Sequence, residues 1–336
     1  MTVKRLLKQV VQGAVAAVAP KFWGRGDSSL LVLMYHRVLP EGHPDRNSEQ
    51  PGMYVSPETL AMHLDLLKRH FTPIHLEEWC LKLAQGESLP PRACAVTFDD
   101  GWRDNYQYAW PVLEAAGVPA TIFIVSNLVG TRYSFWPNKL ARLLSVSRNA
   151  QASRELADAL GMSQDSKLAS GAAMTPEQID SAILDCKQRF SDADITALLD
   201  RIAEEPSTGA KERDLMDWNE IRAMTAQGQV RIGSHTRRHV RLTPQLARNT
   251  ADDEIVGSIA EIESQLGSRP VSFCYPNGDH SPEATALVGQ NYRCAVTTRR
   301  GWNDRHSNRH LMARVGVHDE VSRTPAAFLS RLAGVG

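Results

Sequence analysis

Seven short strand-like runs, the first of them (Leu30–Tyr35) continuously apolar, punctuate this sequence, and no other feature constrains its fold as much. They are Leu30–Tyr35, Ala93–Phe98, Ala120–Val125, Val230–Gly233, Val271–Tyr275, Ala295–Thr298 and Ala313–Val317. A strand with one wet face alternates apolar and polar residues; a short run without alternation reads as a strand covered on both faces. Helical patterns fill the gaps. Ser56-Pro57-Glu58 opens a helix through about His70, with Leu60, Leu64 and Leu67 at helical spacing. Further helices are expected at Asn105–Ala116, Asn219–Gln227, Pro244–Leu266, Pro282–Val288 and Pro325–Leu332. Strands alternating with helices imply parallel βαβ units, and about seven such strands are expected to close into a barrel, an α/β fold.

One stretch breaks the rhythm. From about Phe135 to Asp214 the periodicity is helical, in stripes such as Leu140/Leu143/Leu144, Ile179/Ile183/Leu184 and Ile195/Leu198/Leu199/Ile202. Polar connections at Ser163–Ser170 and Glu205–Lys211 separate the stripes. The reading is a helical insertion, 135–215, between barrel segments 29–134 and 216–336, with 1–28 as a basic leader or surface helix. In that leader Lys4, Arg5 and Lys8 precede Val10–Pro20, a weakly apolar run well below the ~20 residues a membrane span requires. It suits peripheral contact with anionic lipid, and it also resembles an export signal. The cytoplasm, with membrane contact through this segment, is therefore the expected location, and the periplasm is the alternative.

Composition narrows the function. Basic and acidic residues both number 38, so there is no charge excess to hold nucleic acid. The five cysteines, at 80, 94, 186, 274 and 294, form no C-x-x-C pair and read as reduced thiols.

Three motifs follow strands, at the rim where barrel chemistry gathers. In Thr97-Phe98-Asp99-Asp100-Gly101 two adjacent carboxylates can share one site only if the strand ends there, which Gly101 permits. In His235-Thr236-Arg237-Arg238-His239 two imidazoles four apart could share one metal ion on a helical turn. One carboxylate with two imidazoles makes a triad with coordination positions left open, and the spare carboxylate could act as a base. In Phe273-Cys274-Tyr275-Pro276-Asn277-Gly278 a strand enters a turn whose backbone N–H groups could hold an oxyanion. Of the tryptophans, Trp218 and Trp302 suit a sugar platform, whereas Trp102 and Trp110 suit packing. Arg293, Arg299, Arg300, Arg305, Arg309 and Arg314 lie in one basic stretch that could attract an anionic glycan.

TFDDG at 97–101, HTRRH at 235–239, FCYPNG at 273–278 and LMYHRV at 33–38 together resemble the polysaccharide deacetylases of the chitooligosaccharide deacetylase homology group. The resemblance covers roughly 30–132 and 216–318. It implies a distorted (β/α) barrel of about seven strands and a divalent metal, usually zinc, held by Asp100, His235 and His239. Asp99 would be the general base, and the substrate an N-acetylated hexosamine polymer or its precursor. The backbone of Asn277 would assist the oxyanion, with Tyr275 beside it. The family's late histidine acid matches His318, and His36, ending the first strand, is its rival. Two departures stand out: Cys274 occupies the place of an arginine that orients the catalytic aspartate, and Asn277 that of a tyrosine. Removal of an O-acetyl or formyl group from a lipid-linked sugar would use the same residues. A glycan-binding barrel without catalysis is the alternative outside the enzyme class.

Overall fold

The computed structural model describes residues 3–18, 29–146, 150–161, 169–202 and 213–334. Seven parallel strands close a barrel: β1 Leu30–Tyr35, β2 Ala93–Phe98, β3 Ala120–Ile124, β4 Val230–Ser234, β5 Ser272–Cys274, β6 Cys294–Arg300 and β7 Met312–Gly316. Each pairs with the next in sequence, and β7 returns to β1 through Leu33 opposite Val315. All seven expected runs are strands.

The pleat explains why β1 is apolar throughout. Leu31, Leu33 and Tyr35 of β1 join the cluster beneath the surrounding helices. Leu30 and Val32 face the other way, into a second cluster with Ala93, Ala95, Val296 and Met312 that fills the barrel. A fully buried leucine contributes roughly 2 kcal/mol by leaving water, so a polar residue on either face would be costly.

Helices fall largely where expected. Ser56 caps Pro57–His70, its Oγ accepting the Thr59 N–H at 3.0 Å. Asn105–Ala109 is a π-helical turn running into Trp110–Ala116. The helix expected from Pro244 starts at Arg248. One helix, Leu76–Gln85, had no counterpart in the sequence reading. Its Leu76, Trp79 and Cys80 belong to the cluster inside the barrel and close the end from which the strands start. Its buried Glu77 accepts hydrogen bonds from Thr121 Oγ1, at 3.0 Å to each oxygen, and from Ser272 Oγ at 2.5 Å. Those hydroxyls lie at the beginnings of β3 and β5.

The chain divides into two compact units: Met1–Pro40, Tyr54–Thr131 and Arg213–Gly336 form the first, Glu41–Met53 and Arg132–Glu212 the second. Within the second, helices Trp136–Leu144, Pro176–Arg189 and Asp192–Ile202 bury Leu140, Leu144, Ile183 and Leu199 in a core of their own. Leu184 of the expected stripe is instead exposed. Glu41–Met53, which the sequence pattern left with the barrel, joins this unit through polar contacts that leave no periodic signal. Asn138 Nδ2 donates to Glu49 at 2.7 Å, and Gln50 Nε2 to Asp180 at 2.6 Å. Of the connections expected at Ser163–Ser170 and Glu205–Lys211, 163–168 and 205–211 lie outside the described residues, as do 19–28 of the leader. The five cysteines are free and buried. Among the described residues no helix is long and apolar enough to cross a membrane.

Candidate active site

β2 ends at Phe98, and the two aspartates that follow diverge because the backbone leaves strand geometry. Alternation turns Asp99 into the barrel; Asp100 then takes a left-handed conformation, φ 73°, as does Gly101. A side chain at 101 would meet Ile124 Cγ2 at 3.1 Å, so this turn needs glycine for space as well as for φ. Both carboxylates thereby reach the C-terminal mouth of the barrel.

Asp100 is the centre of one group. His235 Nε2 lies 3.3 Å and His239 Nε2 3.4 Å from its Oδ1. One ligand atom from each of the three residues falls within 4.8 Å of the others. Three donors about 2.0–2.2 Å from a tetrahedral ion would themselves be about 3.4 Å apart, so the set fits a zinc-like cation. The outer contacts also fit. His235 Nδ1 bonds to the Cys274 carbonyl at 2.8 Å, which aims Nε2 at Asp100. The Trp102 indole donates to Asp100 Oδ2 at 3.0 Å, leaving Oδ1 for the ion. Trp102 packs as expected, and it also orients a carboxylate. Burial alone would raise the Asp100 pKa, but the hydrogen bonds from His235 and His239 hold it well below the usual carboxylate range.

The two histidines do not share a helical turn. His235 follows β4, and His239 ends an irregular loop in which Thr236 and His239 are left-handed, at φ 66° and 62°. For a β-branched residue that conformation is costly, on the order of 1–3 kcal/mol, and persists only where neighbours enforce it. The enforcing group comes from the helix Arg248–Leu266. Fully buried Glu254 accepts the N–H groups of Arg237 and Arg238 at 2.9 Å each through Oε2, and its Oε1 faces Arg238 Nε at 2.8 Å.

Asp99 belongs to a different environment. Arg314, fully buried on β7, grips it with two parallel bonds, Nη1 to Oδ1 and Nη2 to Oδ2, both 2.7 Å. The other guanidinium hydrogens go to Thr97 Oγ1 at 3.1 Å, the Thr297 carbonyl at 2.9 Å and Cys274 Sγ at 3.2 Å. Burial would raise the Asp99 pKa, but the Arg314 charge outweighs it and lowers the group below its ordinary value. Arg314 is therefore no part of a glycan-attracting surface. It occupies the place where an arginine was missed, because positions 274 and 314 both face the barrel interior, and Cys274 leaves the space. Asp99, His235 and Cys274 also bring donor atoms together. A cation suits that set less well: the Arg314 charge already neutralises Asp99, and burial pushes the Cys274 thiol pKa up.

The two rival acids have different surroundings. His36 Nε2 lies 3.8 Å from Asp99 Oδ2, and its ring is about a fifth exposed (21%). Its carbonyl accepts from Asn105 Nδ2 at 2.8 Å, which ties the end of β1 to the π-helical turn. Burial lowers the His36 pKa more than Asp100 and Asp99 raise it. His318 caps the short helix Asp319–Ser322, its carbonyl accepting the Val321 and Ser322 N–H groups. The ion-pair partners of Asp99 are His36 and Arg314.

The remaining candidates divide. Asn277 stands in the turn after β5 at φ 55°, beside Gly278, where a side chain would strike Thr298 at 2.2 Å. Tyr275 is a core residue: alternation that turns Cys274 inward turns Tyr275 outward, edge-on to Phe273 at 5.1 Å and fully buried. Trp218 is half-buried at the start of the helix Trp218–Thr225, just after Met216, which pairs with Gly101 at the mouth. Trp302 is at the wrong end. It neighbours Asn303, which pairs with Leu30 at the beginning of β1, and its indole donates to Leu332 O at 3.0 Å.

Residues 86–293 match a family model described as polysaccharide deacetylase. The Bacillus subtilis (strain 168) protein YxkH, whose name carries the same two words, is 25% identical over 164 residues, 48% of this chain. That match spans about half (52%) of the relative's length. Two solved structures share the fold. Streptococcus pyogenes deacetylase PplD in complex with acetate has a TM-score of 0.59 at 16% identity, covering 91% of this chain and 99% of that one. IcaB from Ammonifex degensii has a TM-score of 0.58 at 20% identity, covering 90% and 97%.

Proposed function

The chain belongs to the polysaccharide deacetylase family, hydrolases acting on carbon–nitrogen bonds other than peptide bonds, and on that premise we propose that it removes N-acetyl groups from an N-acetylhexosamine polysaccharide or its precursor. The observation that carries the reading is the division of two adjacent carboxylates between two partners, Asp99 with Arg314 and Asp100 with His235 and His239. Two neighbouring carboxylates in different surroundings are what a site needs to bind a cation with one and move a proton with the other.

Asp100, His235 and His239 would hold the divalent ion, zinc by the family resemblance, although this donor set also accepts cobalt, nickel or manganese. When bound, such an ion polarises a carbonyl and brings the pKa of a coordinated water toward ~7. Asp99, kept ionised by Arg314, takes the proton as water attacks the acetyl carbon. Arg314 also fixes both carboxylate oxygens, so Asp99 needs no reorientation during the reaction. The oxyanion that develops finds a donor in the backbone N–H of Asn277. His36, in reach of Asp99, carries the proton to the departing nitrogen, so the C–N bond breaks to give acetate and a free amine. Trp218 at the rim offers its ring to the sugar. The bidentate arginine also weakens the case for a glycan binder without catalysis, which rested on its absence.

Metal content and acetate release from N-acetylglucosamine oligomers test the reading, measured for the wild type and for Asp99→Asn. Both proteins are expected to hold metal, and only the wild type to release acetate. A wild type that binds no metal and releases no acetate from several glycans overturns it. Acetate released only from O-acetylated sugars would favour an esterase using the same residues.

A further inference from the structure

The helix Val3–Val18 lies against the barrel unit with one face and presents the other outward. Its inner side is fixed: the Ser330 hydroxyl donates to the Gln12 carbonyl at 2.9 Å, and Ala16 packs on the cluster that includes Phe328. Its outer side is apolar. Val10, Val11 and Val18 are 62%, 44% and 49% exposed, three of the six large exposed hydrophobic residues among those described. Ala14 and Ala17 are exposed between them.

Charge selects the partner for this stripe. Lys4, Arg5, Lys8, Lys21 and Arg25 precede the first acidic residue, Asp27, in a chain whose basic and acidic residues number 38 each overall. A second protein copy would bring the same positive charge to the contact. Anionic headgroups would neutralise it, and the valines could enter the acyl boundary. The sixteen residues are too few to span a bilayer, so the helix would lie in the interface plane. We propose that Val3–Val18 is a docking helix that rests the protein on an anionic lipid surface, with its outward valine stripe immersed and the flanking lysines and arginines on the headgroups. This inference is independent of the proposed reaction.

Cosedimentation of the full chain with vesicles tests it, using phosphatidylglycerol mixed with phosphatidylcholine and, in parallel, phosphatidylcholine alone. The wild type is expected to partition onto the anionic vesicles and to release as salt rises. Val10→Glu with Val18→Glu, and separately Lys4→Gln, Arg5→Gln and Lys8→Gln together, should each weaken partition at least about tenfold. Thermal unfolding should not change, because the altered valines face away from the barrel. Failure to bind anionic vesicles overturns the proposal, as does equal binding by the variants. A concentration-dependent dimer abolished by the valine substitutions, without vesicle binding, would assign the stripe to a second copy instead. A mature chain starting beyond Val18 in cells would also overturn it, because the surface would then be discarded.

Discussion

The barrel buries carboxylates at both ends, and the two ends solve the resulting problem differently. At the end where strands begin, Glu77 is surrounded by the hydroxyls of Thr121 and Ser272, beneath a helix that seals the opening. At the end where strands finish, Asp99 and Asp100 face a guanidinium and two imidazoles, and His36 and His239 are about a fifth exposed, at 21% and 20%. Hydroxyl donors satisfy a carboxylate and leave it nothing further to do. Titratable partners with access to solvent leave it able to hold an ion or move a proton. The same fold thus carries a carboxylate held by hydroxyls and the pair proposed to react, told apart by what surrounds them.

The strongest way to break that distinction is to remove Asp100. Asp100→Asn should abolish stoichiometric metal uptake, read by elemental analysis, and lower acetate release by roughly a thousandfold or more. Retained metal and activity would show that the triad is no metal site. Arg314→Met comes next. It removes the guanidinium that neutralises buried Asp99, which should cost about 3–5 kcal/mol in denaturant unfolding, together with a large fall in kcat. Unchanged stability would mean that the pair is not buried as described.

A buried histidine that belongs to neither carboxylate group supplies a control on pH. His63 is buried, stacked on Phe328 at 3.9 Å between centroids, with Nδ1 accepting from the Tyr35 hydroxyl at 3.0 Å and Nε2–H donating to the Ser322 carbonyl at 2.7 Å. Burial lowers its pKa from 6.5 to about 4. In the window between those values the unfolded chain binds a proton that the folded chain refuses, so stability rises with pH there. The contribution is complete above the unfolded value and is lost as pH falls through the folded one, at about 1.4 kcal/mol per pH unit. Urea titrations from pH 7 to pH 4 should show this slope, and His63→Gln should remove that part of it.

Smaller effects sharpen the comparison. Glu77→Gln should cost about 1–3 kcal/mol, because an amide cannot accept from Thr121 and Ser272 through both of its ends, and leave metal content and kcat unchanged. Loss of metal from that variant would erase the difference between the two ends. Glu254→Gln should weaken metal affinity by about tenfold, measured by competition with a chelator, because it loosens the loop that presents His239. A change in stability without a change in affinity would make Glu254 structural only.

Which of these features the sequence disclosed depends on how far apart their parts lie along it. Asp99-Asp100-Gly101 was legible because strand, turn and carboxylates are consecutive. The helix carrying Glu77 was missed although Leu76, Trp79, Cys80 and Leu83 follow helical spacing. Arg314 was read as one of a basic run, although an arginine between Ala313 and Val315 in a buried strand was itself a signal that its charge had a partner. Tyr275 was misplaced because a motif gives residue order, while the pleat decides which face each residue takes.

Local chemistry therefore determined the strands, the strand-ending turn, the capped helix from Ser56 and the types of residue that could bind a metal, because each depends on neighbours a few positions away. Closure of the barrel decided the rest. Only the return of β7 to β1 brings Arg314 to Asp99, and only the inward register of β5 sets Cys274 where that guanidinium needs space. Contacts across two hundred residues leave no periodic trace in a single sequence; they exist because seven pleated strands share one interior.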